Sequence, residues 1–168
     1  MKKIILLSVL FLTAFTGNAQ ETLVAYFSGD APMTNILNKP MGATIMQLPY
    51  DFVCVFSLTS PQDGWWKIDE IWPIEEEEAP SMTGSDTNEY WIHYSDLGLG
   101  TRNYGGQCLT LRAAPDEEAE VVFSFTQELE LMPLDIQDDW VMVMVDGTDI
   151  TGWIEAEWLC SNPLTNCC

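Results

Sequence analysis

Leu109-Thr110-Leu111-Arg112-Ala113-Ala114-Pro115 opens the run of short apolar segments that decides the fold. Val121-Val122-Phe123 follows, then Leu129-Glu130-Leu131, then Asp139-Trp140-Val141-Met142-Val143, and the run closes on Gly152-Trp153-Ile154. Each segment is short, rich in β-branched or aromatic residues and bounded by turn formers, as strands are. Asp146-Gly147 is a dipeptide favoured by two-residue hairpin loops. No segment longer than about ten residues keeps apolar positions at helical spacing, so the chain is predicted to be all-β with little helix. In the strand from Trp140, one face carries Val141, Val143 and Val145 and the other Trp140, Met142 and Met144. Both faces are apolar, so cover on both sides is expected.

A second copy of the run lies upstream, as a search for internal repeats brings out. Tyr90-Trp91-Ile92-His93-Tyr94-Ser95-Asp96-Leu97 aligns with Gly152-Trp153-Ile154-Glu155-Ala156-Glu157-Trp158-Leu159 at an offset of 62. Asp63-Gly64-Trp65 aligns with Asp138-Asp139-Trp140, and Ile36-Leu37-Asn38-Lys39-Pro40 with Leu111-Arg112-Ala113-Ala114-Pro115, both at 75. The first copy therefore carries 13 extra residues between its two tryptophan strands. They fall in the Pro-flanked acidic stretch Pro73-Ile74-Glu75-Glu76-Glu77-Glu78-Ala79-Pro80, composed like a solvated loop. Leu23, Ala25 and Phe27 alternate in a first strand, and Phe52 to Leu58 reads as another.

The pattern resembles a bacterial SH3 domain, whose loose signature is an Arg-x-x-Pro turn, short strands, a Trp-x-x-Val strand and a closing Gly-Trp-Val/Ile. The second copy carries all of these; in the first, Leu37 replaces the Arg and Tyr90 the closing Gly. The resemblance implies two tandem SH3-like small β-barrels packed against each other through the Met- and Val-rich strands. The expected organisation is a signal peptide at 1–19 and an N-terminal barrel at 20–98 with an acidic insertion near 73–89. A Gly-rich linker at 99–107 and a C-terminal barrel with a disulfide-prone tail at 108–168 complete it. Barrels of about 60 residues are marginal alone, and the seven Trp, seven Phe and five Tyr supply large buried areas in compensation.

Lys2 and Lys3, the apolar Ile4 to Phe15 and the small residues of Gly17-Asn18-Ala19 form a cleavable export signal, too short to span a bilayer. A periplasmic or extracellular protein without membrane insertion is expected. Cleavage leaves four basic against 26 acidic residues, a net charge of −22. That field repels nucleic acid and anionic surfaces, favours cationic partners and keeps an exported chain soluble.

Cys54, Cys108, Cys160, Cys167 and Cys168 survive cleavage, and an odd count leaves at least one thiol without an intramolecular partner. The expected bridge is Cys160 to Cys167 or Cys168 across Asn162-Pro163, with Cys108 as a competitor; so short a loop gives roughly 2–3 kcal/mol. No Cys-x-x-Cys pair suits zinc, and Asp135-Ile136-Gln137-Asp138-Asp139 departs from a calcium loop, with Trp140 where glycine is needed. No metal or other cofactor is expected. Bacterial SH3 domains often accompany papain-like hydrolases, but here His93 is the single histidine and no length remains for a catalytic domain. His93 reads as a satisfied strand-edge residue. The acids near Trp140 and Trp158, Glu155 and Glu157 among them, carry little information about glycosidase chemistry in so acidic a chain.

Binding rather than catalysis is therefore expected, in a groove lined by aromatics. The candidate residues are Trp65, Trp66, Trp72, Tyr90, Tyr94, Trp140 and Trp158, with Asp63, Asp138 and Asp139 favouring a cationic group on the ligand. Consecutive Trp65 and Trp66 must point to opposite faces of their strand. Most of these rings would serve packing, and a cluster would remain for ligand. The resemblance implies the peptidoglycan stem peptide as partner; an exported basic enzyme, neutralised by an acidic inhibitor, is the alternative.

Overall fold

The computed structural model describes residues 21–74 and 89–164. These form thirteen strands, every pairing antiparallel: β1 (Leu23–Phe27), β2 (Met33–Leu37), β3 (Thr44–Pro49), β4 (Cys54–Gln62), β5 (Trp65–Pro73), β6 (Tyr90–His93), β7 (Leu97–Thr101), β8 (Leu109–Arg112), β9 (Val121–Phe125), β10 (Glu130–Gln137), β11 (Trp140–Val145), β12 (Thr151–Glu155) and β13 (Leu159–Cys160). Single 3-10 turns at Tyr94–Asp96 and Ala156–Trp158 are the only helical pieces among the described residues. No helix there is long and apolar enough to cross a membrane. The protein is all-β.

The strands run in one continuous order, β3-β2-β6-β5-β4-β1-β7-β10-β11-β12-β8-β9, with β13 also paired to β7. This open antiparallel path is all-β, as expected, and does not by itself show two tandem SH3-like barrels packed against each other. It corrects the glycine-rich connector. Leu97 to Thr101 is strand β7, which pairs with β1, β10 and β13 and so belongs to both halves of the sheet. The turn after it is tied down by buried Asn103. Its Nδ2 donates to Gln127 O at 3.0 Å, and its Oδ1 accepts from Thr101 Oγ1 at 2.8 Å.

Both halves use one pairing scheme. Trp65 faces His93 and Trp66 faces Ile92, just as Trp140 faces Glu155 and Val141 faces Ile154. Ala25 faces Phe56 where Leu99 faces Leu131, so β7 serves the second half as β1 serves the first. The backbone bond from Tyr94 N to Gly64 O, 2.9 Å, recurs from Ala156 N to Asp139 O, 2.8 Å. The hairpins entering β5 and β11 both place an Asp at positive φ, Asp63 at 49° and Asp138 at 52°, in the left-handed region that two-residue loops demand and Asp tolerates. The acidic insertion joins β5 to β6, and its residues 75–88 lie outside the described part.

A single apolar cluster runs through both halves, with Ala25, Phe56, Trp66, Ile92, Leu99, Leu131, Val141 and Ile154 among its members. Trp66 is fully buried, and its Nε1–H donates to Pro133 O at 2.9 Å, crossing from β5 to β10. Val141, Val143 and Val145 are buried while Trp140, Met142 and Met144 stay half-buried. The expected second cover over the methionine face is therefore incomplete, because the halves join edge to edge through β1, β7 and β10 rather than face to face through β11.

Candidate functional site

The two halves each carry a groove, and the grooves occupy the same place in the repeat. In the N-terminal half, about 290 Å³ is lined by Met33, Asn35 and Leu37 of β2 with Trp65, His93 and Asp96. In the C-terminal half, about 450 Å³ is lined by Cys108, Thr110 and Arg112 with Trp140, Glu155 and Trp158. The offsets of 75 and 62 carry each of the first six residues onto one of the second six. The register explains this: Leu37 faces Trp91 as Arg112 faces Trp153, and the tryptophan that begins β5 or β11 lies across from the last strand before the 3-10 turn.

The linings differ in chemistry. In the N-terminal groove the His93 ring meets Trp65 edge-on, at 5.1 Å between centroids, and lies 4.4 Å from the Tyr94 ring; His93 Nδ1 is 2.8 Å from Ser95 Oγ. Asp96 accepts from Thr34 Oγ1 at 3.2 Å. Burial holds the His93 imidazole below its ordinary pKa, against the pull of Asp96. Burial raises the Asp96 carboxyl, partly offset by the Thr34 hydroxyl and His93. Both groups lean towards their neutral forms. The C-terminal groove is openly charged. Glu117, Glu155 and Glu157 line it with Arg112, whose Nη1 donates to Ala119 O at 2.8 Å. Trp158 Nε1–H donates to Glu155 Oε2 at 3.3 Å, holding that carboxylate against the indole.

The ten residues expected to form a site thus separate. Trp65 lines the first groove, Tyr94 lies outside that lining with its ring tilted against His93, and Trp140 and Trp158 line the second. Trp66 and Tyr90 are buried, and this takes them out of any groove. Trp72 is 42% exposed on β5 and lines neither groove. Asp63, Asp138 and Asp139 sit exposed on the hairpin turns, outside both linings. The acids that do line a groove are Asp96, Glu117, Glu155 and Glu157, together with His93 and Arg112. The repeat itself held the signal for His93 and Arg112, since aligned tryptophans imply aligned neighbours.

Cys108 is a free, exposed thiol at the edge of the C-terminal groove, so it is not bridged to the tail. No disulfide joins two described residues; Cys167 and Cys168, the expected partners of Cys160, lie outside them. Among the described residues no group of three or more His, Cys, Asp or Glu converges to hold a metal ion.

No protein-family model matches the chain, and no curated protein matches it. Among solved structures it is similar to NlpC1 from Trichomonas vaginalis, at 12% identity and TM-score 0.30, over 90% of this chain and 50% of that one. It is similar also to NlpC2 from the same organism, at 12% identity and TM-score 0.31, over 84% and 48%. The chain spans about half the length of each. Likenesses this slight carry no argument about fold or activity.

Proposed function

We propose that the chain is an exported, non-catalytic recognition module related to bacterial SH3 domains, each half of its sheet being an SH3-like unit that shares β7 with the other. Its ligand is a peptide bearing a free amine, with the cell-wall stem peptide first in line, and it binds in the C-terminal groove. One observation carries this reading: two half-buried tryptophans, Trp140 and Trp158, line an open groove of about 450 Å³ together with three glutamates. Indole faces give apolar area and cation–π attraction, and the carboxylates select positive charge. The residue pattern quoted above supports the family, and the N-terminal Lys2-Lys3 and apolar stretch support export.

A second reading is an acidic secreted inhibitor of a basic enzyme, favoured by the 26 acidic residues. Sedimentation with purified peptidoglycan at low and physiological salt, with tryptophan fluorescence followed in parallel, separates the two. Salt-resistant binding with a fluorescence change supports the wall peptide. Absence of binding at both salts removes it, and the inhibitor reading then predicts a one-to-one complex whose on-rate falls steeply with salt.

A further inference from the structure

Arg112 is one of six basic residues in a chain with 26 acidic ones, and it lines the C-terminal groove beside three glutamates. Alternation along β8 buries Leu109 and Leu111 and gives Thr110 and Arg112 to the groove. The guanidinium is anchored by Nη1, which donates to Ala119 O at 2.8 Å. Among the described residues no carboxylate comes within ion-pair distance of it, although Glu117, Glu155 and Glu157 line the same groove. A guanidinium has five donors and that backbone bond engages one, so donors are left for an anion. Glu155 is committed to the Trp158 indole, at 3.3 Å. The groove therefore holds opposite charges that do not neutralise each other.

We infer that this groove takes a zwitterion: a terminal peptide residue of the lysine type, its side-chain ammonium at Glu155 and its free α-carboxylate on Arg112. This rests on the amine-binding role proposed above and adds the second charge. The antiparallel register that sets Arg112 opposite Trp153 leaves Glu155 two residues further along the strands, about 7 Å away. An ammonium and a carboxylate on one α-carbon are too close together for that span, whereas a stem of several methylenes suits it. Such a stem can lie on the Trp140 and Trp158 rings, which also attract the ammonium. Arg112 suits the carboxylate because its planar fork can offer paired N–H donors. The acidic field of the chain repels a ligand bearing carboxylates alone, so the ammonium must come on the same molecule. The N-terminal groove has Leu37 and His93 at the positions of Arg112 and Glu155, and so lacks both charged ends.

The test is a titration of the full mature chain with ε-aminocaproate, pentylammonium and hexanoate at equal ionic strength, followed by tryptophan fluorescence. The expected result is saturable binding of ε-aminocaproate, about tenfold tighter than pentylammonium, which has the same stem and ammonium without the carboxylate. Hexanoate, which lacks the ammonium, should bind more weakly than either. Arg112→Gln should bring ε-aminocaproate down to the affinity of pentylammonium, whereas a merely structural arginine would weaken both alike and keep their ratio. Glu155→Gln should weaken both amines. Equal affinity for the two amines in wild type, a comparison that needs no variant to fold, would overturn the inference. So would a preference that survives Arg112→Gln. Pentylammonium binding without that preference leaves the amine reading standing while this one falls, and no binding of either amine removes both. Binding of ε-aminocaproate with the preference, in a chain that fails to sediment with peptidoglycan, supports the zwitterion site and removes the wall peptide alone.

Discussion

Trp65 and Trp140 begin the same strand of the two halves, yet what faces them differs: His93 in one, Glu155 in the other. In the N-terminal half the histidine ring packs on the tryptophan and the groove shrinks to about 290 Å³. In the C-terminal half Glu155 turns to the Trp158 indole, the site of Asp96 is taken by that indole, and about 450 Å³ stays open. One backbone frame thus supports a self-filled, nearly neutral groove and an open, charged one. Frame and recognition surface vary independently, because the register fixes positions and leaves side-chain chemistry free.

The comparison is most severely tested in the core. Trp66 and Val141 are repeat equivalents, both fully buried. Trp66→Ala should cost about 3–5 kcal/mol and lower the stability of both halves in one transition, since its indole bonds across to Pro133. Val141→Ala should cost clearly less; equal losses in chemical denaturation would show that the two cores are interchangeable. Next comes the groove contrast. Trp140→Ala should weaken stem-peptide binding about tenfold or more, and Trp65→Ala hardly at all, by fluorescence or calorimetric titration. A reversed order would move the working site to the N-terminal half.

Acidification gives a smaller and equally one-sided effect. His93 has a folded-state pKa below its ordinary 6.5 because of burial. Its stabilising contribution is therefore present above pH 6.5 and is lost as pH falls through the folded value. Asp96, raised by burial, acts oppositely: the penalty on its charged form is relieved as pH falls. Wild type should lose stability relative to His93→Gln between pH 7.5 and 5.5, and the His93 ring should titrate below 6.5 by NMR. A midpoint above 6.5 would mean Asp96 outweighs burial. Smallest of all, Lys67→Met removes the exposed ion pair with Glu89, N–O 3.1 Å, and should change stability by about 0–1 kcal/mol.

The strand content was legible because turn residues and short apolar runs punctuate this chain. The repeat was legible because Trp and Gly mark equivalent turns and strand starts. β7 was not: Gly98-Leu99-Gly100-Thr101 has the composition of a connector, and only packing explains it, since Gly98 must admit the Tyr26 ring and Leu99 must reach the core. The groove was half legible. Aromatic identity pointed to Trp65, Trp140 and Trp158, but sequence could not tell which of two adjacent tryptophans faces inward, and Trp66 is the buried one. Charge proximity along the chain misled: Asp63, Asp138 and Asp139 are next to the tryptophans in sequence and outside the grooves in space. The carboxylates that line the grooves come from β12, the two 3-10 turns and the β8–β9 connection, which are brought beside the tryptophans by strand pairing and not by nearness in sequence.

A strand owned by both halves imposes a direction on synthesis. By residue 101 the ribosome has made every strand of the first pairing scheme, β1 through β7, and that half can form its sheet as it emerges. The second half has no such independence, because β10 and β13 both pair with β7. The first half is therefore the template on which the second is laid. Recombination cannot lift out residues 108–164 as a self-sufficient cassette, whereas a cut after Thr101 leaves every strand pairing of the first half intact.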